Sequence, residues 1–314
     1  MKIIKEILKK IKEYNTIIIH GHEHPDGDCL GSQLGLKNII KTTWPSKEVY
    51  IVGETSDYLS FMGKCDEIDD SKFKGALSII VDLANAERAN DKRYVLSDYR
   101  IRIDHHIKIE TFAELEYVDQ TCSSCAEIIA NIAFDNKLKM TLDGAYALYT
   151  GIVTDTGRFK YNSITKRTFD TAGKLLDMGI IPQDIDNNLA VDTEETLKLK
   201  GYVLSNIKVV EGKFAYIKMT RDVIEKHMVS DEDAANMVNL LSTLKGVLTW
   251  ALFIEYKDGK KKIRIRSKGP VVNILASKYN GGGHAMASGA SMQSWDDVEP
   301  FIADMMEVIK EYES

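Results

Sequence analysis

Residues 16–32 read TIIIHGHEHPDGDCLGS, and this stretch decides the fold prediction. The β-branched run at 17–19 is typical of a buried strand in a parallel sheet. Directly after it come the ligand-type side chains His22, Asp26 and Asp28. Polar groups at the carboxyl end of such a strand lie where open α/β sheets bind ligands. The alternative at this point is a polar turn whose aspartates cap the next helix.

Composition indicates an ordinary globular protein. The chain has 314 residues, of which 44% are hydrophobic and 28% charged, enough for two domains with their own cores. A net charge of −6 argues against a nucleic-acid footprint over the whole surface and leaves room for a small anionic ligand held by local cations. Four cysteines do not suggest a disulfide framework, so we expect a cytoplasmic protein.

No membrane partner is expected, because no apolar run approaches the roughly 18 residues that span a bilayer. The N-terminal residues 1–14, MKIIKEILKKIKEY, place their apolar side chains on one helical face. This pattern predicts an amphipathic helix rather than a signal peptide.

Strand–helix alternation predicts an α/β fold with a doubly wound, mainly parallel sheet over residues 1–185. The predicted strands are 16–19, 48–52, 77–81 and 99–103, and the predicted helices 30–41, 123–134, 142–154 and 165–178. Residues 186–210 lack β character and are expected to form a helical connector. Residues 211–314 predict a smaller α+β domain, with strands at 214–219, 247–256 and 262–266, a hairpin turn at 257–260, and helices at 271–279 and 295–312.

Four polar clusters follow apolar segments of the first domain. They are His22 with Asp26 and Asp28, Asp82 alone, the triplet Asp104-His105-His106, and Asp155. One such aspartate is more often a cap or turn residue, but four clusters at corresponding ends of one sheet are hard to obtain by capping alone. Carboxylates and imidazoles without paired thiolates favour a catalytic Mn, Mg, Fe or Zn site for hydrolysis over a structural zinc site. The set exceeds what one ion needs, and a two-ion centre suits phosphoryl chemistry.

These motifs resemble those of the DHH phosphoesterase family. The matching segments are HxxPDxD at 22–28, VD at 81–82, DHH at 104–106 and GIVTDTGRF at 151–159. In the second domain, IRS at 265–267, GGGH at 281–284 and ASGA at 287–290 are similar to the C-terminal domain associated with that family. Within the family, the length and motif form resemble the nanoRNase and pAp-phosphatase branch.

The resemblance implies a role for each site residue. His22 and Asp26 would hold one ion, Asp28, His105 and Asp155 the other, and Asp82 would bridge the two. Asp104 would orient His105, and His106 would stabilise charge at the phosphate or donate a proton to the leaving oxygen. The predicted substrate-binding residues are Arg158, Arg266, Ser267, Gly281, Gly282, Gly283 and His284. Arg158 follows Asp155 closely and could reach a phosphate, and a surface salt bridge is the alternative for it. The expected cofactor is a pair of Mn²⁺ ions, with Mg²⁺ or Co²⁺ as alternatives.

Two further features have competing interpretations. Residues 257–268 contain seven Lys or Arg against one Asp, which fits either a solvated strand edge guarded by lysines or a phosphate-binding face. Alternation places Lys262, Arg264 and Arg266 on one side of that strand. The CxxC formed by Cys122 and Cys125 invites a zinc or redox interpretation, but the surrounding Ser and Thr residues favour a helix start. Of the remaining histidines, His20 is assigned to the strand and His24 to the surface.

The predicted activity is a two-metal hydrolase for short 5′-phosphorylated oligonucleotides such as pApA, and for 3′-phosphoadenosine 5′-phosphate (pAp). In each substrate the leaving fragment is a nucleoside 5′-phosphate, whose phosphate the second domain would hold. The alternatives are a cyclic di-AMP phosphodiesterase, a long-strand exonuclease, an inorganic pyrophosphatase and a nucleotide sensor without turnover. The partners expected are short single-stranded RNA and nucleoside bisphosphates, and a homodimer is a family-level expectation.

Overall fold

The computed structural model describes residues 2–55, 57–189 and 191–314. The chain divides into two compact units, residues 1–190 and 191–314. Among the described residues, no helix is both long and apolar enough to cross a membrane.

The first unit is built on a five-stranded, fully parallel sheet. Its strands are β1 (Thr16–His20), β2 (Glu48–Val52), β3 (Leu77–Val81), β4 (Tyr99–Asp104) and β5 (Leu115–Val118), in the order β2-β1-β3-β4-β5. The predicted α/β class with a parallel sheet is confirmed, and four of the strands were predicted. β5 was missed because its four residues are all half-buried and form no apolar run. Parallel pairing brings the carboxyl ends of all five strands to one edge.

Both faces of this sheet are covered. The helices of the unit are α1 (Lys2–Glu13), α2 (Gly27–Thr43), α3 (Cys125–Asp135), α4 (Leu142–Asp155), α5 (Lys166–Leu176) and α6 (Pro182–Leu189). The main core lies between them and one face of the sheet, where Ile17, Ile19 and Ile79 are buried. On the other face Ile18 packs with Phe73 and Ile80 with Tyr94, in a layer that contains short 3₁₀ turns.

Helices α2 and α4 lie unusually close together. A Cβ atom built on Gly31 of α2 would lie 2.5 Å from the Ala147 carbonyl oxygen of α4, and one on Gly151 of α4 would lie 3.0 Å from Asp28 Oδ1 of α2. Only glycine fits at such distances. The contact matters for function because α2 begins beside Asp28 and α4 ends at Asp155.

The second unit holds a six-stranded mixed sheet, which confirms the predicted separate α+β domain. Its strands are β6 (Lys208–Val210), β7 (Phe214–Met219), β8 (Thr249–Glu255), β9 (Lys261–Ser267), β10 (Gly282–His284) and β11 (Ala287–Met292), in the order β10-β11-β9-β8-β7-β6. Only β7 and β8 pair in parallel among these strands. β9 lies inside the sheet, so the interpretation of its cations as guards of a strand edge is wrong.

Helices pack against both faces of this sheet. They are α7 (Glu194–Asn206), α8 (Arg221–Lys226), α9 (Asp231–Asn236), α10 (Asn273–Lys278) and α11 (Val298–Glu313). One core joins Phe253 and Ile263 to Phe301 of α11. The other joins Trp250 and Leu252 to Leu199 of α7, so α7, predicted within the connector, packs into the second unit.

Candidate metal centre

The four predicted clusters meet at the carboxyl edge of the first sheet. The ring nitrogen Nε2 of His105 lies 3.4 Å from Asp155 Oδ2, 3.5 Å from Asp82 Oδ1 and 3.8 Å from Asp28 Oδ2. The Nε2 of His22 lies 3.5 Å from Asp82 Oδ2 and 3.8 Å from Asp26 Oδ1. Each histidine therefore faces its own carboxylates, and Asp82 turns one oxygen to each of them.

Local backbone structure holds these groups in place. Asp26 Oδ1 accepts hydrogen bonds from the amides of Asp28 and Cys29 at 3.0 Å each, so it caps α2 as the alternative interpretation proposed. The same carboxylate also approaches His22, and the two interpretations are therefore compatible. Asp28 is buried and accepts from the amides of Cys125 and Ala126, at 2.7 and 2.9 Å.

Asp82 carries the clearest sign that a ligand completes the centre. Its backbone adopts φ +54°, a left-handed conformation that an L-residue adopts at a cost. Its side chain is buried, and Oδ1 has no hydrogen-bond partner among the described residues. A buried carboxylate oxygen without a donor is rare in native proteins, and a cation between Asp82 and His105 would satisfy it.

The electrostatics of the cluster favour cations. Burial raises the pKa of Asp28 well above its usual range, and neighbouring Asp82 adds to this. Burial likewise raises the pKa of Asp155 to about 7, despite the opposing effect of His105. Burial would lower the pKa of His105, but the surrounding carboxylates raise it to about 10. Without metal the cluster therefore retains protons, which divalent ions would displace on binding.

Asp104 contacts a different imidazole from the one expected. Its Oδ1 accepts from His106 Nδ1 at 2.8 Å and from the backbone amide of His105 at 2.8 Å. The expected orientation of the His105 ring by Asp104 is therefore corrected to the His106 ring, because the Nε2 edge of His105 is turned towards Asp28, Asp82 and Asp155. Sequence reasoning missed Arg102, which is fully buried and donates to Asp104 Oδ2 at 2.5 Å.

The structure also places the other histidines and cysteines. His20 is buried in β1, where its ring lies 3.0 Å from Ser78 Oγ, and His24 is exposed. Cys125 begins α3 and donates to the Ile103 carbonyl oxygen. The buried Cys29 lies close enough to His22 and Asp82 for the three to share an ion.

The predicted substrate-binding residues lie in both units. In the first, Arg158 forms an ion pair with Asp186, with Nε and Oδ1 3.5 Å apart. In the second, cross-strand register sets Arg266 opposite Ala287, which in turn faces His284. The Ser267 hydroxyl accepts from the Gly269 amide. Gly282 and Gly283 begin β10, and Gly281 precedes it. A Cβ built on Gly281 would lie 2.0 Å from the Gly289 carbonyl oxygen.

Comparisons with known proteins agree with this architecture. Residues 16–152 match the model of the DHH family N-terminal domain, and residues 211–311 match the DHHA1 domain. The chain is 38% identical over 311 residues to the bifunctional oligoribonuclease and PAP phosphatase NrnA of Bacillus subtilis, covering 98% of this chain and 99% of the relative. It is 37% identical to the probable NrnA of Streptococcus mutans, covering 99% and 100%.

A solved structure extends the likeness to the whole fold. An exopolyphosphatase-related protein from Bacteroides fragilis matches with a TM-score of 0.87 at 28% identity, covering 99% of this chain and 96% of the other. The family motifs of this chain coincide with the carboxylate and histidine cluster at the edge of its parallel sheet. The chain therefore belongs to the DHH family of phosphoesterases and carries a DHHA1 domain.

Proposed function

We propose that this phosphoesterase hydrolyses short 5′-phosphorylated oligonucleotides to mononucleotides and converts pAp to AMP. The observation that carries the proposal is the division of the two Asp82 oxygens between His22 and His105, which suits two ions on either side of one carboxylate. The choice of substrates is supported by the activities named for the Bacillus subtilis relative.

In this proposal six residues hold two divalent ions, which we take to be Mn²⁺. His22 and Asp26 would hold one ion, Asp28, His105 and Asp155 would hold the other, and Asp82 would contribute to both. When bound, such a pair supplies an activated water and neutralises charge on the attacked phosphate. Carboxylate and imidazole donors fit Mn²⁺ or Mg²⁺.

His106 is the proposed proton donor to the leaving oxygen. Its hydrogen bond to Asp104 raises the pKa of the ring, which favours the protonated form that a proton donor needs. Because Asp104 occupies Nδ1, Nε2 is the nitrogen left to face the substrate. The side chain is 39% exposed, which leaves room for a phosphoester to approach it.

The DHHA1 domain is proposed to recognise the 5′ phosphate of the leaving nucleotide. Arg266 offers a planar fork for a phosphate, and the exposed strand Gly282–His284 offers backbone amides without bulky side chains. Both pApA and pAp carry that 5′ phosphate, which explains how one enzyme would act on the two.

A substrate panel tests the proposal. Purified protein with Mn²⁺ is offered pApA, pAp, a 5-mer, a 24-mer, cyclic di-AMP and pyrophosphate, and products are separated by chromatography. We expect AMP from pApA, pAp and the 5-mer. Turnover confined to cyclic di-AMP or to pyrophosphate would refute the assignment, and tight nucleotide binding without turnover would identify a sensor.

A pair of variants links the activity to the centre. Asp155→Ala should abolish turnover of every substrate, because His105 loses one of its three facing carboxylates. Asp177→Ala is the matched control. Asp177 is an exposed aspartate at the carboxyl end of α5, just as Asp155 stands at the carboxyl end of α4. Equal activity of the two variants would exclude the proposed centre.

A further inference from the structure

The carboxylate of Asp28 is held by the first turn of another helix. Its Oδ2 accepts a hydrogen bond from the Cys125 amide at 2.7 Å, and its Oδ1 accepts one from the Ala126 amide at 2.9 Å. These are the first two residues of α3, and amides in a first turn have no partner within their own helix. The position of both Asp28 oxygens is therefore set by the place where α3 begins.

A buried glutamate fixes the start of α3. Glu127 is fully buried, and its Oε2 accepts from the backbone amide and from the hydroxyl of Ser123, at 2.9 and 2.7 Å. In return, the Ser124 hydroxyl accepts from the Glu127 amide at 3.0 Å. Reciprocal bonds of this kind close the turn that precedes a helix. The direction of the Cys125 and Ala126 amides therefore depends on the Glu127 side chain.

Helix α5 supplies the other partners of Glu127. The Thr168 hydroxyl donates to Oε2 at 2.9 Å, and Arg167 donates from Nε to Oε1 at 3.0 Å. Thr168 is buried, whereas the side chain of Arg167 is 41% exposed. Both carboxylate oxygens of Glu127 therefore have donors, and its buried charge is paired with a cation.

The same guanidinium fastens the segment that leads into α3. Arg167 also donates from Nη1 to Asp119 Oδ2 at 3.2 Å and from Nη2 to the Cys122 sulfur at 2.7 Å. The Asp119 amide in turn donates to the carbonyl oxygen of Asp104, the last residue of β4, at 2.9 Å. One side chain of α5 therefore connects the segment after β5 with the start of α3.

This arrangement reaches the metal centre through a shared oxygen. Asp28 Oδ2 accepts from the Cys125 amide and also faces His105 Nε2 at 3.8 Å. A displacement of the α3 amides would therefore displace an oxygen that faces the centre. Loss of a group that supports a metal ligand typically lowers metal affinity by about 10–100-fold.

We propose that Glu127, together with Arg167, is a positioning residue for the ion assigned to Asp28, His105 and Asp155, and that it acts through the first turn of α3. The inference rests on the two-ion centre of the proposed function. It adds to that centre a pair of side chains that contact α3 rather than the ion.

The two ions should respond differently to a loss of this support. Asp26, a proposed ligand of the other ion, accepts from the amides of Asp28 and Cys29 in the first turn of α2. A change at Glu127 should therefore lower the affinity for one ion and leave the affinity for the other nearly unchanged. A general loss of stability would not distinguish the two ions.

The test measures binding of Mn²⁺ to the metal-free full chain by isothermal titration calorimetry. Glu127→Gln retains the side-chain volume and one oxygen acceptor, but it removes the charge that pairs with Arg167. We expect two bound ions in the parent, and in the variant an affinity for one of them that is weaker by about tenfold. With pApA as substrate, the Mn²⁺ concentration for half-maximal rate should rise by the same factor, while kcat at saturating Mn²⁺ is retained.

A second variant covers the case in which Glu127→Gln does not fold. Arg167→Gln changes a partly exposed side chain and leaves the bonds between Glu127 and Ser123 in place, so it should weaken the same ion by a smaller factor. Arg167→Lys retains the cation and should recover part of that loss. Thermal unfolding of each metal-free variant checks its fold.

Glu114→Gln is the matched control. Glu114 pairs with Arg100 and accepts from the Arg100 amide at 2.8 Å, as Glu127 pairs with Arg167 and accepts from a backbone amide. It lies at the amino end of β5, whereas the centre lies at the carboxyl edge of the sheet. The Mn²⁺ isotherm of Glu114→Gln should match that of the parent.

Four results would overturn the inference. These are equal weakening of both ions in Glu127→Gln, an isotherm unchanged in the folded Glu127 and Arg167 variants, the same loss in Glu114→Gln, or a parent that binds a single Mn²⁺. Failure of the proposed function is a separate result, in which the parent would bind both ions and turn over neither pApA nor pAp.

Discussion

Replacement of Arg102 by methionine should damage both stability and catalysis. The guanidinium is fully buried, donates to Asp104 Oδ2 at 2.5 Å and to the carbonyl oxygens of Ala84 and Glu110 at 3.1 and 3.2 Å, and lies 4.9 Å from the Phe112 ring. Methionine fills much of the volume but leaves the buried Asp104 carboxylate without its cation. Removal of one partner from a buried ion pair costs about 3–5 kcal/mol, which is a large part of the usual stability of a domain.

The same change should slow the reaction. Asp104 holds the His106 ring through Oδ1, and a carboxylate freed from Arg102 no longer fixes that ring against the substrate. We expect kcat to fall on the order of 100-fold, the lower end of the range for loss of a general acid, with little change in KM. Arg102→Lys retains a cation and should recover part of both losses.

Urea unfolding and steady-state kinetics on pApA measure the two effects. Arg100→Met is the matched control, because Arg100 lies on the same strand and pairs with Glu114 in a partly exposed position. Its loss should cost less than about 1 kcal/mol. The reasoning would be refuted if Arg102→Met unfolded at the same urea concentration as the parent, or if a folded Arg102→Met retained full kcat.

Two other predictions concern the metal centre. The raised pKa values of Asp155, about 7, and His105, about 10, mean that each group stabilises the fold at low pH and loses this contribution as pH rises towards its folded pKa. The melting temperature of the metal-free protein should therefore decrease as the pH is raised from 5 to 9. Mn²⁺ should remove most of this decrease. A melting temperature that does not depend on pH would count against a cluster that retains protons. Gly31→Ala should destabilise by about 1–3 kcal/mol and weaken Mn²⁺ binding, because its Cβ would lie 2.5 Å from the Ala147 carbonyl oxygen. Gly173→Ala on α5, where no atom lies within 4 Å, should instead stabilise by roughly 0.5–1 kcal/mol, and calorimetry with metal titration compares the two.

Much of the first sheet was predictable because its strands carry the pattern that burial on both faces demands. The run at 77–81 is apolar, apart from Ser78, and every residue of that strand is buried. The strands β10 and β11 carry no such pattern. They consist mainly of Gly, Ala and Ser, small residues that form no apolar alternation. The pairing of β10 with β11 and of β11 with β9 depends on tertiary contacts that no local pattern encodes.

The site shows the same division between local and non-local information. Strand ends and ligand-type residues located the centre, because parallel strands bring their carboxyl ends together. The partner of Asp104 could not be read in this way. Arg100 and Arg102 alternate identically in the sequence YRIRID of β4, yet only Arg102 is fully buried, because residues distant in the chain enclose it.

The position of Asp155 has a consequence for making a useful reagent. It is a partly buried carboxylate at the carboxyl end of α4, where the helix dipole disfavours negative charge. An amide at this position would favour stability, whereas the carboxylate serves activity at a cost in stability. Asp155→Asn should accordingly give an inactive protein whose metal-free form is more stable to heat than the metal-free parent. With its oligonucleotide-binding residues unaltered, such a protein is the natural form in which to capture an uncleaved substrate for crystallography.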